Sequence, residues 1–214
     1  QPRDFIVCPA YLQVVARRTG CSVHTLVMAV SVVPVTADRW PDLRAFFEPN
    51  GAYSNCWCAW YRVRAKDYDN GPGNRRVLRR LTLEGAVPGL LAYDAKDAVG
   101  WVSIAPREQF ERLTRSRVIG PLDPDEPDVW SLVCFWIPAG HRHTGVGTAL
   151  LDGAVDYARS QGAATIEAYP VDTAGERRPG AALFTGTVAT LRRAGFTITA
   201  HHASGRPIAR LRGS

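Results

Sequence analysis

The sequence predicts a mixed α/β fold, one sheet flanked by helices, and three observations carry that expectation. Residues 129–137, Val-Trp-Ser-Leu-Val-Cys-Phe-Trp-Ile, form an apolar run of the kind found in a strand buried on both faces. Just downstream, Val146, Leu150, Ala154 and Tyr157 recur at helical spacing. Leu151, Val155 and Ala158 widen that stripe, and Gly162 closes it. Elsewhere, short β-branched or aromatic runs are interspersed with helical stripes, the order of a mixed sheet.

The elements follow in turn. Residues 30–35 read as a first strand by their β-branched content. Trp40, Leu43, Phe46 and Phe47 mark a helix that Thr36 or Asp38 can cap and that Glu48-Pro49-Asn50-Gly51 breaks. An aromatic segment, Cys56-Trp57-Cys58-Ala59-Trp60-Tyr61, and a glycine-rich loop at residues 69–73 come next. Residues 75–84 are expected to be helical, with Val77, Leu78 and Leu81 as the buried stripe. Residues 89–93 and 99–104 pair as a hairpin through Asp94-Ala95-Lys96-Asp97, and a Pro- and Asp-rich loop leads to the apolar strand. Beyond the helix that starts at Gly145, residues 165–169 form a strand and 184–194 a helix. Residues 196–200 and 207–211 close the sheet.

A length of 214 residues suits one domain with a short extension. Met28 is the only methionine and a strand begins just after it, so residues 1–27 are expected to be an N-terminal extension and residues 28–214 the domain. Arg17-Arg18 ahead of an apolar stretch loosely imitates an export signal, which His24 and Pro34 interrupt. Five irregularly spaced cysteines make no disulfide framework and fit a reducing, cytoplasmic setting. Cys56 and Cys58 lack the His or second cysteine pair that a zinc set needs, so no metal is expected. A net charge of +6 favours anionic ligands without demanding nucleic acid. The run Arg75, Arg76, Arg79 and Arg80 reads as a solvated helix face, and neither a nucleic-acid nor a membrane partner is expected.

The most specific feature lies where the apolar strand gives way to a helix: His141-Arg142-His143-Thr144-Gly145-Val146-Gly147. Two glycines with one spacer allow a tight turn and close backbone approach. Unpaired N–H groups and the positive end of the helix dipole make such a start an anion site, and Arg142 and His143 add donors, so a pyrophosphate matches it. It is not a Walker loop, since no Gly-Lys-Ser/Thr triplet follows. Nor is it a dinucleotide fingerprint, because Leu150 stands where a third Gly or Ala is needed. Taken alone, Gly145 and Gly147 are equally compatible with a plain strand-to-helix turn.

Residues 142–147 match the Q/R-x-x-G-x-G/A signature of the GNAT superfamily of N-acetyltransferases, and the late Gly195-Phe196 pair resembles the end of that family's last helix. The resemblance spans residues 30–211 and is strongest from 129 to 196. It implies a GNAT-like mixed sheet, centrally splayed between its fourth and fifth strands, with acetyl-CoA or another acyl-CoA as co-substrate. The pyrophosphate is then expected on Arg142, His143, Thr144, Gly145, Val146, Gly147 and Thr148. The pantetheine arm is expected along Phe135, Trp136 and Ile137, pairing like an extra strand with the first and last of these. An amine acceptor, a small molecule or a peptide, would receive an acetyl or short acyl group by direct transfer. Proximity then supplies most of the rate, and a base takes a proton from the amine.

The chain departs from the family where acid and base are concerned. Leu191 stands in place of a Tyr that protonates the leaving thiolate in many members, Phe184 replaces an Asn, and no carboxylate occurs within residues 129–137. Candidate catalytic groups are Glu167, Tyr169 and Asp128, with His141 beside them; Glu167 and Tyr169 share a strand face by alternation. Trp57 and Trp60 fall where the family builds its acceptor pocket and are expected to line it, in one pocket with Glu167 and Tyr169. Two alternatives remain open: a non-catalytic acyl-CoA-binding module, to which the missing Tyr points, and an acyltransferase that uses a carrier-protein thioester. The protein is expected to be a monomer or a homodimer.

Overall fold

The computed structural model describes residues 30–117, 119–121, 123–202 and 204–213. The expected extension, with its boundary at Met28, lies outside them. In chain order the elements are β1 (Ser31–Pro34), α1 (Trp40–Phe47), α2 (Pro72–Leu83), β2 (Leu90–Asp94), β3 (Asp97–Pro106) and α3 (Glu111–Arg115). They continue with β4 (Val129–Trp136), α4 (Val146–Ser160), β5 (Thr165–Ala168), α5 (Val188–Arg193), β6 (Thr197–His201) and β7 (Pro207–Arg212). The strands form one seven-stranded sheet in the order β1-β2-β3-β4-β5-β7-β6. Every neighbouring pair is antiparallel except β4 and β5, which run parallel across the α4 crossover. This is the mixed, helix-flanked sheet that the sequence predicts.

Three apolar clusters hold it together. On one face α4 lays Val146, Leu150, Leu151, Ala154 and Ala158 onto Leu90, Val102, Ile104, Leu132 and Ile166. Leu150 is fully buried there, which stabilises the fold by about 2 kcal/mol. On the other face Trp40, Leu43 and Phe47 of α1 and Leu78 of α2 pack with Trp57, Leu91 and Trp101. Further along that face Tyr61, Phe110, Leu113, Val133, Tyr169 and Ile208 make a third cluster.

Helix boundaries and faces differ from the sequence expectation in three places. In α2 the buried row is Asn74, Leu78 and Thr82, while Val77 and Leu81 are half-buried. The polar pair tolerates burial because it is bonded: Asn74 Nδ2 donates to the Asn55 carbonyl at 3.2 Å, and the Thr82 hydroxyl donates to the Leu78 carbonyl at 2.9 Å. α5 starts four residues later than expected, because Gly186 turns at φ +79° and Thr187 caps the helix by accepting from the Thr190 N–H at 3.2 Å. α3 is only five residues long, too short to leave a periodic trace.

The feature that opens a site lies in β4. Opposite β3, Ser103 pairs with Cys134 and Ile104 with Leu132, so Val133 is an extra residue, a β-bulge. The bulge turns the consecutive side chains of Val133 and Cys134 to the same face, where both contact the third cluster. Pairing between β4 and β5 runs from Val129–Thr165 to Leu132–Ala168 and ends there, while β4 continues to Trp136. A bulged strand bends, and the two parallel strands part where the bulge sits.

Candidate cofactor and acceptor site

The parting of β4 and β5 faces the start of α4. Gly145 is the residue before that helix, at φ +97° and ψ −12°, a left-handed conformation that glycine adopts without steric cost. A Cβ built there would meet nothing within 4 Å beyond its own chain neighbours, so the space above it is open. At Gly147 an added Cβ would stand 3.3 Å from Ile137 Cδ1, which places the first helical turn against the end of the apolar strand. The carbonyl of Gly145 accepts from the N–H groups of Thr148 and Ala149, each at 3.0 Å. The N–H groups of Val146 and Gly147 precede the first intrahelical bond and point out of the helix end, where anions bind.

The side chains around this turn are less free than its backbone. Arg142 Nε donates to the Ile137 carbonyl at 3.0 Å, and its guanidinium lies against Gly180, where an added Cβ would come within 2.8 Å of Nη1. Arg142 thus ties the loop to both the end of β4 and the segment beyond β5. His143, exposed, is itself left-handed at φ 65°, and the Thr144 hydroxyl donates to the His141 carbonyl at 2.8 Å. Thr148 is exposed on the first turn.

Inside the parting, Phe135, Trp136 and Ile137 are half-buried. The N–H of Phe135 does not face empty space: it donates to the Phe184 carbonyl at 2.5 Å. The segment before α5 therefore sits on the strand position expected to receive the pantetheine arm. Leu191, at the position of the family's Tyr, is fully buried in the α4-side core and presents nothing polar to the site.

Glu167 and Tyr169 do share a face, and both are buried, at 0% and 1% exposure. Glu167 Oε1 accepts from the Tyr169 hydroxyl at 2.6 Å and Oε2 from Arg210 Nε at 2.8 Å. Arg210 Nη1 reaches Glu126 Oε2 at 2.6 Å, so one guanidinium on β7 bridges two carboxylates. Burial opposes the charge on Arg210, but the Glu167 and Glu126 carboxylates outweigh it and raise its pKa. Burial, and then the adjacent Glu167 carboxylate, pushes the Tyr169 hydroxyl well above the ordinary tyrosine range. Both Glu167 oxygens are thus occupied by donors. Asp128, also expected among the catalytic groups, precedes β4 at the end away from the parting. Seven steps along the chain separate it from Phe135, about 23 Å of extended strand. The exposed Asp128 instead extends the β4–β5 pairing, its carbonyl accepting from the Ala164 N–H at 3.0 Å.

The two tryptophans part company as well. Trp57 is 4% exposed, in edge contact with Phe47 at 5.5 Å between ring centroids, and belongs to the core beneath α1 and α2. Trp60 is 43% exposed; the Arg112 guanidinium lies 3.9 Å from its ring centroid and Tyr68 packs edge-on at 5.2 Å. Together with Arg64, Glu111, Arg115 and Ile119, Trp60 and Arg112 line a groove of about 430 Å³. Ile119 packs against the cluster that holds Val133 and Tyr169, which links this groove to the bulged strand.

Three residues emerge that the sequence did not single out. Tyr61, 3% exposed, shares a cluster with Val133, Tyr169, Cys134 and Phe184, and burial raises its hydroxyl above the ordinary range. The neighbouring Arg62 donates to the Pro88 carbonyl just before β2 at 2.6 Å and to the Ser103 hydroxyl of β3 at 3.3 Å, which pins the segment to both, with burial pushing its pKa down to about 10. Cys134 comes within 3.3 Å of Cys58, sulfur to sulfur. Among the described residues no group of three or more His, Cys, Asp or Glu side chains is arranged to hold a metal ion, and no helix is long and apolar enough to cross a membrane.

Fold and site together define an α/β protein with a glycine-started helix at the mouth of a parted sheet. Residues 52–182 match the model of the acetyltransferase (GNAT) family, and the chain belongs to that family. Its fold is similar to that of the PaiA N-acetyltransferase from Thermoplasma acidophilum, solved in complex with coenzyme A, at 12% identity over 87% of this chain and 100% of that one, with a TM-score of 0.51. It is likewise similar to an N-acetyltransferase from Staphylococcus aureus, at 13% identity, 86% and 98% coverage and a TM-score of 0.52. A third is the GNAT domain of S. lividans PAT, at 19% identity, 86% and 90% coverage and a TM-score of 0.51. At such identities the likeness is one of fold. No curated protein sequence matches the chain.

Proposed function

We propose that the protein transfers an acetyl or other short acyl group from acyl-CoA to an amine by direct attack. One observation carries this reading: β4 and β5 part after the Leu132–Ala168 pair, directly before the glycine-started helix at Gly145. In this arrangement the N–H groups of residues 145–147 bind the pyrophosphate, and the pantetheine arm lies along Phe135 to Ile137 after displacing the Phe184 carbonyl. The bulge at Val133 supplies backbone donors near the thioester carbonyl, where negative charge develops. The amine enters from the face that carries Tyr61 and Trp60, with the aromatic groove as its outer wall. Incubation with acetyl-CoA and a panel of amines should release free thiol in an acceptor-dependent manner. CoA binding without thiol release from any amine would instead favour the non-catalytic module, the reading that Leu191 supports.

Within this scheme Tyr61 takes the part of the missing tyrosine and protonates the departing thiolate. Its hydroxyl, like any tyrosine's, carries its proton at neutral pH, and it sits in one cluster with Val133 and Phe184. Tyr61→Phe should lower kcat about tenfold, at the modest end of general acid effects, with CoA affinity unchanged by calorimetry. An unaltered kcat would remove Tyr61 from the mechanism.

A further inference from the structure

We infer that Cys58 and Cys134 form a reversible dithiol–disulfide site, a modification site that the transfer chemistry does not use. The two residues come from elements 76 positions apart, yet their sulfurs touch at 3.3 Å. A disulfide bond is roughly 2.0 Å long, so the atoms must close by about 1.3 Å, within reach of side-chain rotation.

The surroundings divide the labour between the two thiols. Cys134 is half-buried on β4 and is the more accessible of the two. Cys58 is buried, and its sulfur accepts from Trp101 Nε1 at 3.1 Å, which fixes it facing its partner. A buried cysteine by itself is a small apolar residue. Two sulfurs in contact, one half-buried and one held, are placed to pair, with Cys56, whose thiol also donates to Cys58, as the competing partner. The loop that carries Cys58 is under strain: Ala52, Ser54, Asn55, Trp57 and Cys58 all have left-handed φ between 45° and 66°. Such backbone costs on the order of 1–2 kcal/mol per residue and persists only where the surroundings impose it. A covalent bond at Cys58 would hold this loop to β4.

With hydrogen peroxide as oxidant the step balances. The Cys134 sulfur, on losing its proton, attacks a peroxide oxygen and becomes a sulfenic acid as water departs. The Cys58 sulfur then displaces the sulfenic hydroxyl as a second water and gives up its own proton. Two thiols have lost two electrons and two protons, and a small dithiol restores them. In the oxidised form the segment carrying Trp60 and Tyr61 is tethered one residue from Phe135. Acetyl transfer should then fall by about tenfold, since displacements near 1 Å carry penalties of that order or larger. This last consequence rests on the function proposed above; the bond itself does not.

The test uses the full reduced chain, treated with graded hydrogen peroxide, alkylated, digested and mapped by mass spectrometry. The expected product is a peptide pair joined through Cys58 and Cys134, lighter by two hydrogens and separated again by dithiothreitol. Cys56→Ser should retain it, while Cys58→Ser and Cys134→Ser should each abolish it. The half-buried Cys134 is the substitution that keeps the test valid if the Cys58 variant does not fold. A cross-link through Cys56, or oxidation of Cys134 to a sulfinic acid with Cys58 still alkylatable, would overturn the inference. The mapping needs no activity, so a chain inert in the thiol-release assay could still form the bond, and an active one could fail to.

Discussion

Gly145→Val should weaken CoA binding by about a hundredfold, close to 2.8 kcal/mol, while leaving the chain folded. The effect has two parts. Gly145 sits at φ +97°, where a β-branched residue is strained, so the turn relaxes and the N–H groups of Val146 and Gly147 lose their common aim. The new side chain also projects into the space where nothing beyond its own chain neighbours lies within 4 Å of an added Cβ, the space a pyrophosphate would need. Gly147→Val adds a contact with Ile137 and should act in the same direction. Calorimetric titration with CoA, next to a thermal melt showing that each variant is folded, measures the effect. Affinity within a factor of two of the parent would sink the assignment of this turn as the pyrophosphate site.

Arg210→Ala should lower stability by about 3–5 kcal/mol, the range for a buried pair broken from one side. The guanidinium is the link between β7, the Glu167 carboxylate on β5 and Glu126 in the loop before β4. Removing it leaves Glu167, with 0% exposure, as a buried carboxylate whose remaining donor is the Tyr169 hydroxyl. Glu126→Gln should cost much less, because the Glu126 side chain is 21% exposed and water can replace its partner. In a domain of this size the larger change corresponds to a melting temperature lower by roughly 10 °C. If Arg210→Ala melted within 2 °C of the parent, the triad would not be the clamp that its geometry implies.

The parts of the fold that local chemistry dictates were legible in the sequence. The apolar run of β4, the helical stripe of α4 and the glycines between them each announce themselves within a dozen residues, so strand, turn and helix are placed together. What depends on meetings between distant segments was not. Glu167 and Tyr169 alternate correctly onto one face, but nothing near them reveals that Arg210 returns 43 positions later to occupy the carboxylate. Trp57 and Trp60 are three residues apart and look equivalent; the left-handed backbone at Trp57 and Cys58 sends one ring into the core and leaves the other on the surface. The bulge at Val133 left no mark either, since an extra residue in a uniformly apolar strand changes no periodicity. Cys134 likewise passes as one more buried residue of that run until the fold sets it against Cys58.

The bond between Phe135 and Phe184 has a thermodynamic consequence for any ligand of the parted strands. An empty groove with orphaned N–H groups would greet a ligand with donors it had only to satisfy. Here the donor is already satisfied by the chain's own carbonyl, so entry exchanges one hydrogen bond for another and gains little enthalpy at that point. The chain acts as an intramolecular competitor. Apparent affinity is the intrinsic affinity multiplied by the fraction of molecules with the segment displaced; if that fraction were about one in a hundred, binding would weaken a hundredfold with every ligand contact unchanged. Association would then be governed by an internal opening step and would level off with concentration instead of rising in proportion to it. Substitutions that favour the displaced segment should tighten CoA binding without touching a single group that contacts it.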